Sequence, residues 1–246
     1  MQLGHRMIYG KQTMKIVAAI RTYNESERIE KCCQAYQFCD EIIVADGGST
    51  DDTFKIAWNQ PKTFVVSYPV KVQCKNGIMR NPDGPHINFL WDIAREHGAD
   101  WIISQDCDQR PNKFLKEQAR QIMENTTKGF IMPVQIFLWK KTEYFPHLSR
   151  QGGYGEYMHG IWAHRADLGM KVIDKMPHYE FTIDPVKTNN FTLVDPPCCY
   201  LHDGWNSDEN VIKMVKYYRE SGLIPGMNHP LWMGGKPHPI ESWMIE

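Results

Sequence analysis

From Met14 onward the chain alternates short apolar runs with amphipathic stretches. Met14 to Ile20 (MKIVAAI) is nearly continuous apolar sequence, the pattern of a parallel strand covered on both faces. It breaks at Arg21-Thr22-Tyr23-Asn24-Glu25 and a helix follows. Asn24 or Ser26 is available as its cap, and Ile29, Cys32, Cys33 and Tyr36 fall on one helical face. Glu41 to Ala45 (EIIVA) predicts a second buried strand. It ends in Asp46-Gly47-Gly48-Ser49-Thr50-Asp51-Asp52, a loop that caps a helix carrying Phe54, Ala57 and Trp58. Thr63 to Val66 predicts a third strand. After a Gly/Pro-rich passage, Asn76 to Pro85, the residues Ile87, Leu90, Trp91 and Ala94 mark a helix closed by Gly98. Trp101 to Asp108 then reads as a buried fourth strand emerging at a surface.

Strands and helices alternating at this spacing predict an α/β fold with a Rossmann-type, mostly parallel sheet flanked by helices. Beyond Pro111, a helix carries Leu115, Ala119 and Ile122. Phe130 to Trp139 is apolar but holds Pro133, which predicts an edge or interrupted strand. Gln151-Gly152-Gly153-Tyr154-Gly155 reads as a flexible loop, and Ile161 to His164 and Phe191 to Val194 as short strands. Asn206 to Ser221 predicts a C-terminal helix, capped by Ser207 or Asp208, with Val211, Met214, Val215 and Tyr218 facing inward. From Gly222 the tail is rich in Gly, Pro, Trp and His without periodicity. It is expected to be irregular and to pack on the domain or cover a site. The expected organisation is an N-terminal extension over 1–13, one domain over 14–222 with halves meeting near 110, and the tail over 223–246.

Composition narrows the function classes. With 28 basic and 29 acidic residues, no overall charge favours nucleic acid or an anionic membrane. No apolar run approaches the roughly 20 residues of a membrane span, and the first 13 residues lack a signal-peptide core. The expected location is the cytoplasm, with attachment to the inner face of a membrane as an option. The 7 cysteines include two vicinal pairs but no Cys-X-X-Cys, so a zinc site is not expected and reduced thiols are.

The candidate chemistry starts at Asp106-Cys107-Asp108. On an extended segment Asp106 and Asp108 point the same way and repel, unless a cation sits between them. Oxygen ligands suit a hard divalent ion. An acidic turn after a strand is the simpler reading of those three residues alone.

Ile16 to Thr53 (IVAAIRTYNESERIEKCCQAYQFCDEIIVADGGSTDDT) resembles the nucleotide-binding opening of family-2 glycosyltransferases with the GT-A fold. That family has an apolar strand, a Tyr-Asn-Glu-like turn, a helix, and a second strand ending in Asp-(Asp/Gly)-Gly-Ser-Thr-Asp. Its Asp-X-Asp follows a later strand, as Asp106-Cys107-Asp108 does. Within the family the chain is similar to small bacterial enzymes that add glucose or heptose to lipopolysaccharide cores. His178-Tyr179-Glu180 and Leu201-His202-Asp203-Gly204-Trp205 match their downstream segments.

The resemblance implies a metal-dependent inverting glycosyltransferase. A nucleotide-sugar donor would meet Thr22, Asn24, Glu25, Asp46, Ser49, Asp106 and Arg165, with Asp46 accepting a hydrogen bond from the base. Mn²⁺ or Mg²⁺ would lie on Asp106, Asp108 and His202. Glu180 would be the base that takes the proton of an acceptor hydroxyl on a glycan, a lipid-linked sugar or another molecule. Asp184 and Glu156 are its rivals. The chain departs from the family's pattern at Gln105, where an apolar residue is usual, and at His86-Ile87-Asn88-Phe89, which lacks a preceding basic residue. The competing readings are a nucleotidyltransferase, which lacks support because no Gly-rich phosphate loop follows the first strand, and a catalytically silent nucleotide-sugar-binding module. A third is a phage-type transferase acting on modified DNA bases.

Overall fold

A computed structural model describes residues 13–73, 77, 79–139, 142–144, 159–175, 178–204, 209, 212, 215–216 and 238–245. The first half runs β1 (Ile16–Thr22), α1 (Ile29–Ala35), β2 (Glu41–Asp46), α2 (Thr53–Trp58) and β3 (Thr63–Ser67). A small hairpin, β4 (Val72–Gln73) and β5 (Met79–Arg80), precedes α3 (Asp83–Glu96) and β6 (Trp101–Asp106). Next come β7 (Gln109–Pro111), α4 (Lys113–Asn125), β8 (Phe130–Trp139), β9 (Glu143–Tyr144), β10 (Ala163–Arg165), and the hairpin β11 (Val172–Lys175) and β12 (His178–Phe181). The chain continues through β13 (Phe191–His202) and β14 (His238–Pro239) to a last helical turn, Ser242–Ile245. The main sheet runs β14-β9-β8-β10-β6-β1-β2-β3, and β13 pairs with both β7 and β8. Strands β6, β1, β2 and β3 are parallel, and β10 joins β6 antiparallel. The expected α/β fold with a largely parallel, helix-flanked sheet is what forms.

Burial on both faces explains why β1 is apolar from Ile16 to Ile20. Ile16, Ala18 and Ile20 face the core shared with α1, α2 and α4, while Val17 and Ala19 face α3. Strands β2 and β6 divide the same way, Ile42 and Val44 against Ile43, and Trp101 and Ile103 against Ile102. A third core joins β8 and β13, through Val134, Ile136, Leu138, Cys199 and Leu201, to Met244 of the tail.

Several elements differ from expectation. Helix α1 starts at Ile29, and neither Asn24 nor Ser26 caps it: its N-cap is Arg28, without a side-chain bond. Asn24 instead takes a left-handed φ of 53° and serves the next loop. Helix α3 begins inside the Gly/Pro-rich passage, because Pro85 in the first helical turn costs no hydrogen bond. Strand β8 is interior rather than an edge. Pro133 is tolerated there because β10 pairs only as far as Ile131, and the β13 ladder breaks register between Val194 and Cys199, beside the proline. That bulge also joins the two halves of β13, Phe191 to Val194 and the strand-like Cys199 to Leu201, into one strand.

The tail is not wholly irregular: β14 pairs with β9, and Met244 is buried. The expected helix over 206–221 lies mostly outside the described residues, as does the 151–155 loop. Glu209, Ile212, Val215 and Lys216 are helical. Among the described residues no helix is long and apolar enough to cross a membrane.

Candidate active site

The carboxyl ends of β1, β2 and β6 open on one edge of the sheet, the place where open parallel sheets bind ligands. Strand β6 stops at Asp106, and Cys107 and Asp108 form a turn. The two carboxylates are therefore not successive same-side residues of one strand, as the sequence pattern suggests. Asp106 is held by Arg21, whose Nε and Nη2 lie 2.7 and 2.6 Å from Oδ1. The same guanidinium reaches Asp83 of α3 at 2.7 Å through Nη1.

Asp108 is placed differently. Strand β7 runs directly back from the turn and pairs antiparallel with β13, setting His202 opposite Gln109. The Asp203 amide donates to Asp108 O at 2.9 Å. His202 Nε2 lies 3.7 Å from Asp108 Oδ2, an ion-pair distance rather than a hydrogen bond. Gly204 closes the corner, since a Cβ there would lie 2.6 Å from Asp108 Oδ2 and 3.0 Å from His202 Cε1.

Four carboxylates thus share this edge, and three have a guanidinium partner. Arg21 holds Asp106, Arg28 holds Glu25 at 2.9 Å, and Arg110 forms an ion pair with Asp203. Asp108 lies at ion-pair distance from His202, and its Oδ1 is buried with no hydrogen-bond partner among the described residues, like Asp203 Oδ1. Burial raises the pKa of Asp108, opposed by His202 and more weakly by the Arg28 guanidinium, and Asp106 and Asp203 raise it further. Burial also lifts Glu25 to about 7, against the pull of Arg28 and with Asp108 and Asp203 adding to the rise.

The arrangement suits a hard divalent cation in charge and in donor chemistry, carboxylate oxygen with one imidazole nitrogen. Among the described residues no three His, Cys, Asp or Glu groups are arranged to hold a metal ion.

The other expected donor contacts belong to two stitched loops. Asp46, 3% exposed, accepts from Gly48 N and Ser49 N at 3.0 and 2.9 Å and from the Ser49 hydroxyl. Ser49 Oγ accepts from Asn24 N at 2.8 Å, and Asn24 Oδ1 accepts from Thr50 N at 2.8 Å. Glu25 N donates to Thr53 Oγ1 at 2.7 Å. Thr22 lends its carbonyl to Gly47 N at 2.8 Å, while its own hydroxyl is buried without a partner. These residues build the loops, and little of Asp46 is left for a base. Asn81 pins the rim, its amide nitrogen within 3.1 Å of Gly47 O and 3.0 Å of Val70 O, and its oxygen 2.7 Å from Lys71 Nζ. The unusual Gln105 is buried and donates to the carbonyls of Ile161 and Trp162 at 3.3 and 3.2 Å. His86 is likewise internal, 3.1 Å from Ala45 O.

Arg165 is a correction. It pairs with Trp101, the first residue of β6, and Asp106 is the last. Five residues at about 3.3 Å each separate it from the site by about 16 Å. It lies 5.8 Å from the centre of the Trp101 ring and beside Asp167, a surface role.

Glu180 is exposed on β12, opposite Ile173. Its hairpin docks on the N-terminal half of α3: Gly84 N donates to Asp174 Oδ1, and Asn88 exchanges two 2.8 Å bonds with the Val172 backbone. That is the end of α3 from which Asp83 meets Arg21. Asp184 is spent on a turn, accepting from Val186 N at 2.9 Å and Lys187 N at 3.1 Å. Glu156 lies outside the described residues.

Arg21, Arg28, Arg110 and Asp203 are the site residues that sequence reasoning missed. Only Arg28, three residues from Glu25 at helical spacing, left a local signal.

No family model matches the chain. It is 24% identical over 210 residues to an uncharacterized protein of Mycobacterium tuberculosis, covering 83% of this chain and 50% of that protein. It is 29% identical over 131 residues to an uncharacterized glycosyltransferase of Rickettsia bellii, covering 51% of this chain and 38% of that one. The chain thus spans half or less of the length of these relatives. Among solved structures it is similar to glucosyl-3-phosphoglycerate synthase from M. tuberculosis in complex with Mn²⁺, UDP and phosphoglyceric acid. The TM-score is 0.53 at 17% identity, covering 94% of this chain and 88% of that one. It is also similar to S. aureus TarS, with a TM-score of 0.52 at 14% identity, covering 84% of this chain and 40% of that one. At these identities the likeness is one of fold, and the fold is that of the GT-A glycosyltransferases.

Proposed function

We propose that the chain is a metal-dependent, inverting glycosyltransferase that moves a sugar from a nucleotide-sugar donor to an acceptor hydroxyl. The observation that carries this is Asp108, whose Oδ1 is buried with no hydrogen-bond partner among the described residues, beside His202 at the ligand-binding edge of a GT-A sheet. Asp108 and His202 would hold the ion, with Asp106 fixed alongside by Arg21. A bound Mn²⁺ or Mg²⁺ would supply Lewis-acid neutralisation of the charge gathering on a departing nucleoside diphosphate. The loops of Thr22 to Glu25 and Asp46 to Asp51 would hold the nucleoside. Residues 14–110 would then be the donor half and 111–222 the acceptor half.

Glu180 would take the acceptor proton. Its hairpin is anchored to the end of α3 that also reaches Arg21 and Asp106, which supports that role. The rickettsial relative is called a glycosyltransferase, which supports sugar transfer, and the mycobacterial synthase of the same fold binds UDP with Mn²⁺, which supports a UDP-sugar donor. The similarity to lipopolysaccharide-core enzymes favours a surface-glycan or lipid-linked acceptor, used in the cytoplasm or at the inner face of a membrane.

The test is release of nucleotide from UDP-, GDP-, ADP- and CMP-sugars in Mn²⁺. One donor class should be turned over, chelator should stop it, and Asp108→Ala should lose about 100-fold or more. Turnover of no donor, or full activity in the variant, sinks the reading. Glu180→Gln should bind donor as the wild type does and lose turnover; retained turnover would move the base elsewhere.

A further inference from the structure

The sheet ends at β3, and among the described residues nothing pairs with its outer edge. Lys62 O accepts from Ile42 N, and Tyr68 N donates to Asp46 O. By alternation, the backbone groups of Phe64 and Val66 turn toward β2, and those of Thr63, Val65 and Ser67 turn outward. Exposed edges are normally blunted by charge, proline or a bulge, and TFVVS has none of these.

Large exposed side chains gather on both sides of the edge. Phe54 and Trp58 stack on α2 with ring centres 6.2 Å apart, and Trp58 is 62% exposed. Ile56 of the same helix packs into the core shared with α1. Phe54 and Trp58 project from the side of α2 away from Ile56. On the opposite face of the sheet, Phe64 is 41% exposed, with its ring 4.9 Å from that of His97.

We propose that β3 pairs with β3 of a second copy of this chain, antiparallel about a twofold axis at Val65, joining two sheets into one. An open backbone edge is satisfied by another strand, and this sequence is complementary to itself. Pairing Val65 with Val65 sets Phe64 against Val66, Thr63 against Ser67 and Lys62 against Tyr68. These are an aromatic–β-branched pair and a hydroxyl pair, with no like charges opposed. The outward groups of Thr63, Val65 and Ser67 become the hydrogen-bonded positions of the new ladder. The Lys62 ammonium stays clear of the axis, bound to Gln37 O and Cys39 O at 2.8 and 3.0 Å. The apolar band of Phe54, Trp58 and Phe64 then flanks an isologous interface on both faces.

Sedimentation of the full chain at micromolar concentration should give twice the 28.7 kDa chain mass. Phe64→Lys and Trp58→Lys alter exposed side chains, so circular dichroism should be unchanged while the mass falls to that of one chain. Val65→Pro removes an N–H that serves only the outer edge, and should do the same. If the proline variant fails to fold, the two lysine variants decide. A single-chain mass for the wild type, or a doubled mass for Phe64→Lys, overturns the proposal. Donor turnover is measured separately, so the result stands apart from the proposed activity.

Discussion

Burial lifts Glu25 from 4.5 to about 7, with Arg28 pulling down and Asp108 and Asp203 pushing up. A carboxyl whose folded pKa exceeds its unfolded one holds an extra proton in the folded state. Stability is therefore greatest below the unfolded value and falls as pH rises through the window from 4.5 to about 7. Between pH 5 and pH 8 the loss is about 2 to 3 kcal/mol. Glu25→Gln carries no titrating group, so the variant should gain that amount relative to wild type over the same interval. Urea melts of both proteins in chelator, at pH 5 and pH 8, measure it; parallel pH dependence would show that Glu25 is not the group responsible. At this scale the sequence pointed to Glu25, Asp106, Asp108 and His202, but not to Asp203 or to the arginines that pair with these carboxylates. Arg110 and Asp203 lie 93 residues apart and meet only because β7 pairs with β13. Arg21 passed as the end of an apolar run, and its two carboxylate partners come from other elements.

Among the elements, α4 and β13 are joined at one residue. Asn112, 3% exposed, caps α4 by accepting from Leu115 N at 3.0 Å. Its amide nitrogen donates to Pro197 O at 2.7 Å, in the β13 bulge, and to Trp243 O at 2.8 Å, in the tail. Asn112→Ala loses a cap worth about 1 kcal/mol and strands two carbonyls, which adds about 1 kcal/mol or more for each. The variant should be destabilised by about 3 kcal/mol in urea melts, and a loss under about 1 kcal/mol would mean that water replaces the pin. The bulge that Asn112 holds shows where the sequence pattern stopped being readable. Strands β1, β2 and β6 were legible because burial on both faces leaves an unbroken apolar run. Asp195-Pro196-Pro197 instead reads as the end of a strand, although β13 continues past it to His202. The two-residue strands of β4 and β5 carry no periodicity at all, and Pro133 reads as an edge only while the neighbouring interruption is unknown.

Across the molecule, the parallel half (β3, β2, β1, β6) supplies Glu25, Arg21 and Asp106, and the mixed half brings His202 and Asp203 back to Asp108 through β13. The site is assembled from both halves, so a ligand spanning it stabilises the folded chain as a whole. If Asp108 and His202 hold the ion as proposed, a metal ion alone would bind weakly, and a diphosphate alone would meet the carboxylates of Glu25, Asp106, Asp108 and Asp203, which repel it. Each needs the other. UDP and Mn²⁺ together, at about 100 times their joint dissociation constant, should add about 2.7 kcal/mol, roughly 5 to 10 °C in melting temperature for a chain of this size. Either alone should give only a small fraction of that shift. Asp108→Ala should abolish the joint effect, because it removes the carboxylate proposed to hold the ion beside His202. Thermal melts of wild type and variant, with each ligand singly and with both, separate these outcomes. Equal shifts from UDP with and without Mn²⁺ would show that the guanidiniums of Arg21, Arg28 and Arg110 hold the diphosphate without a metal.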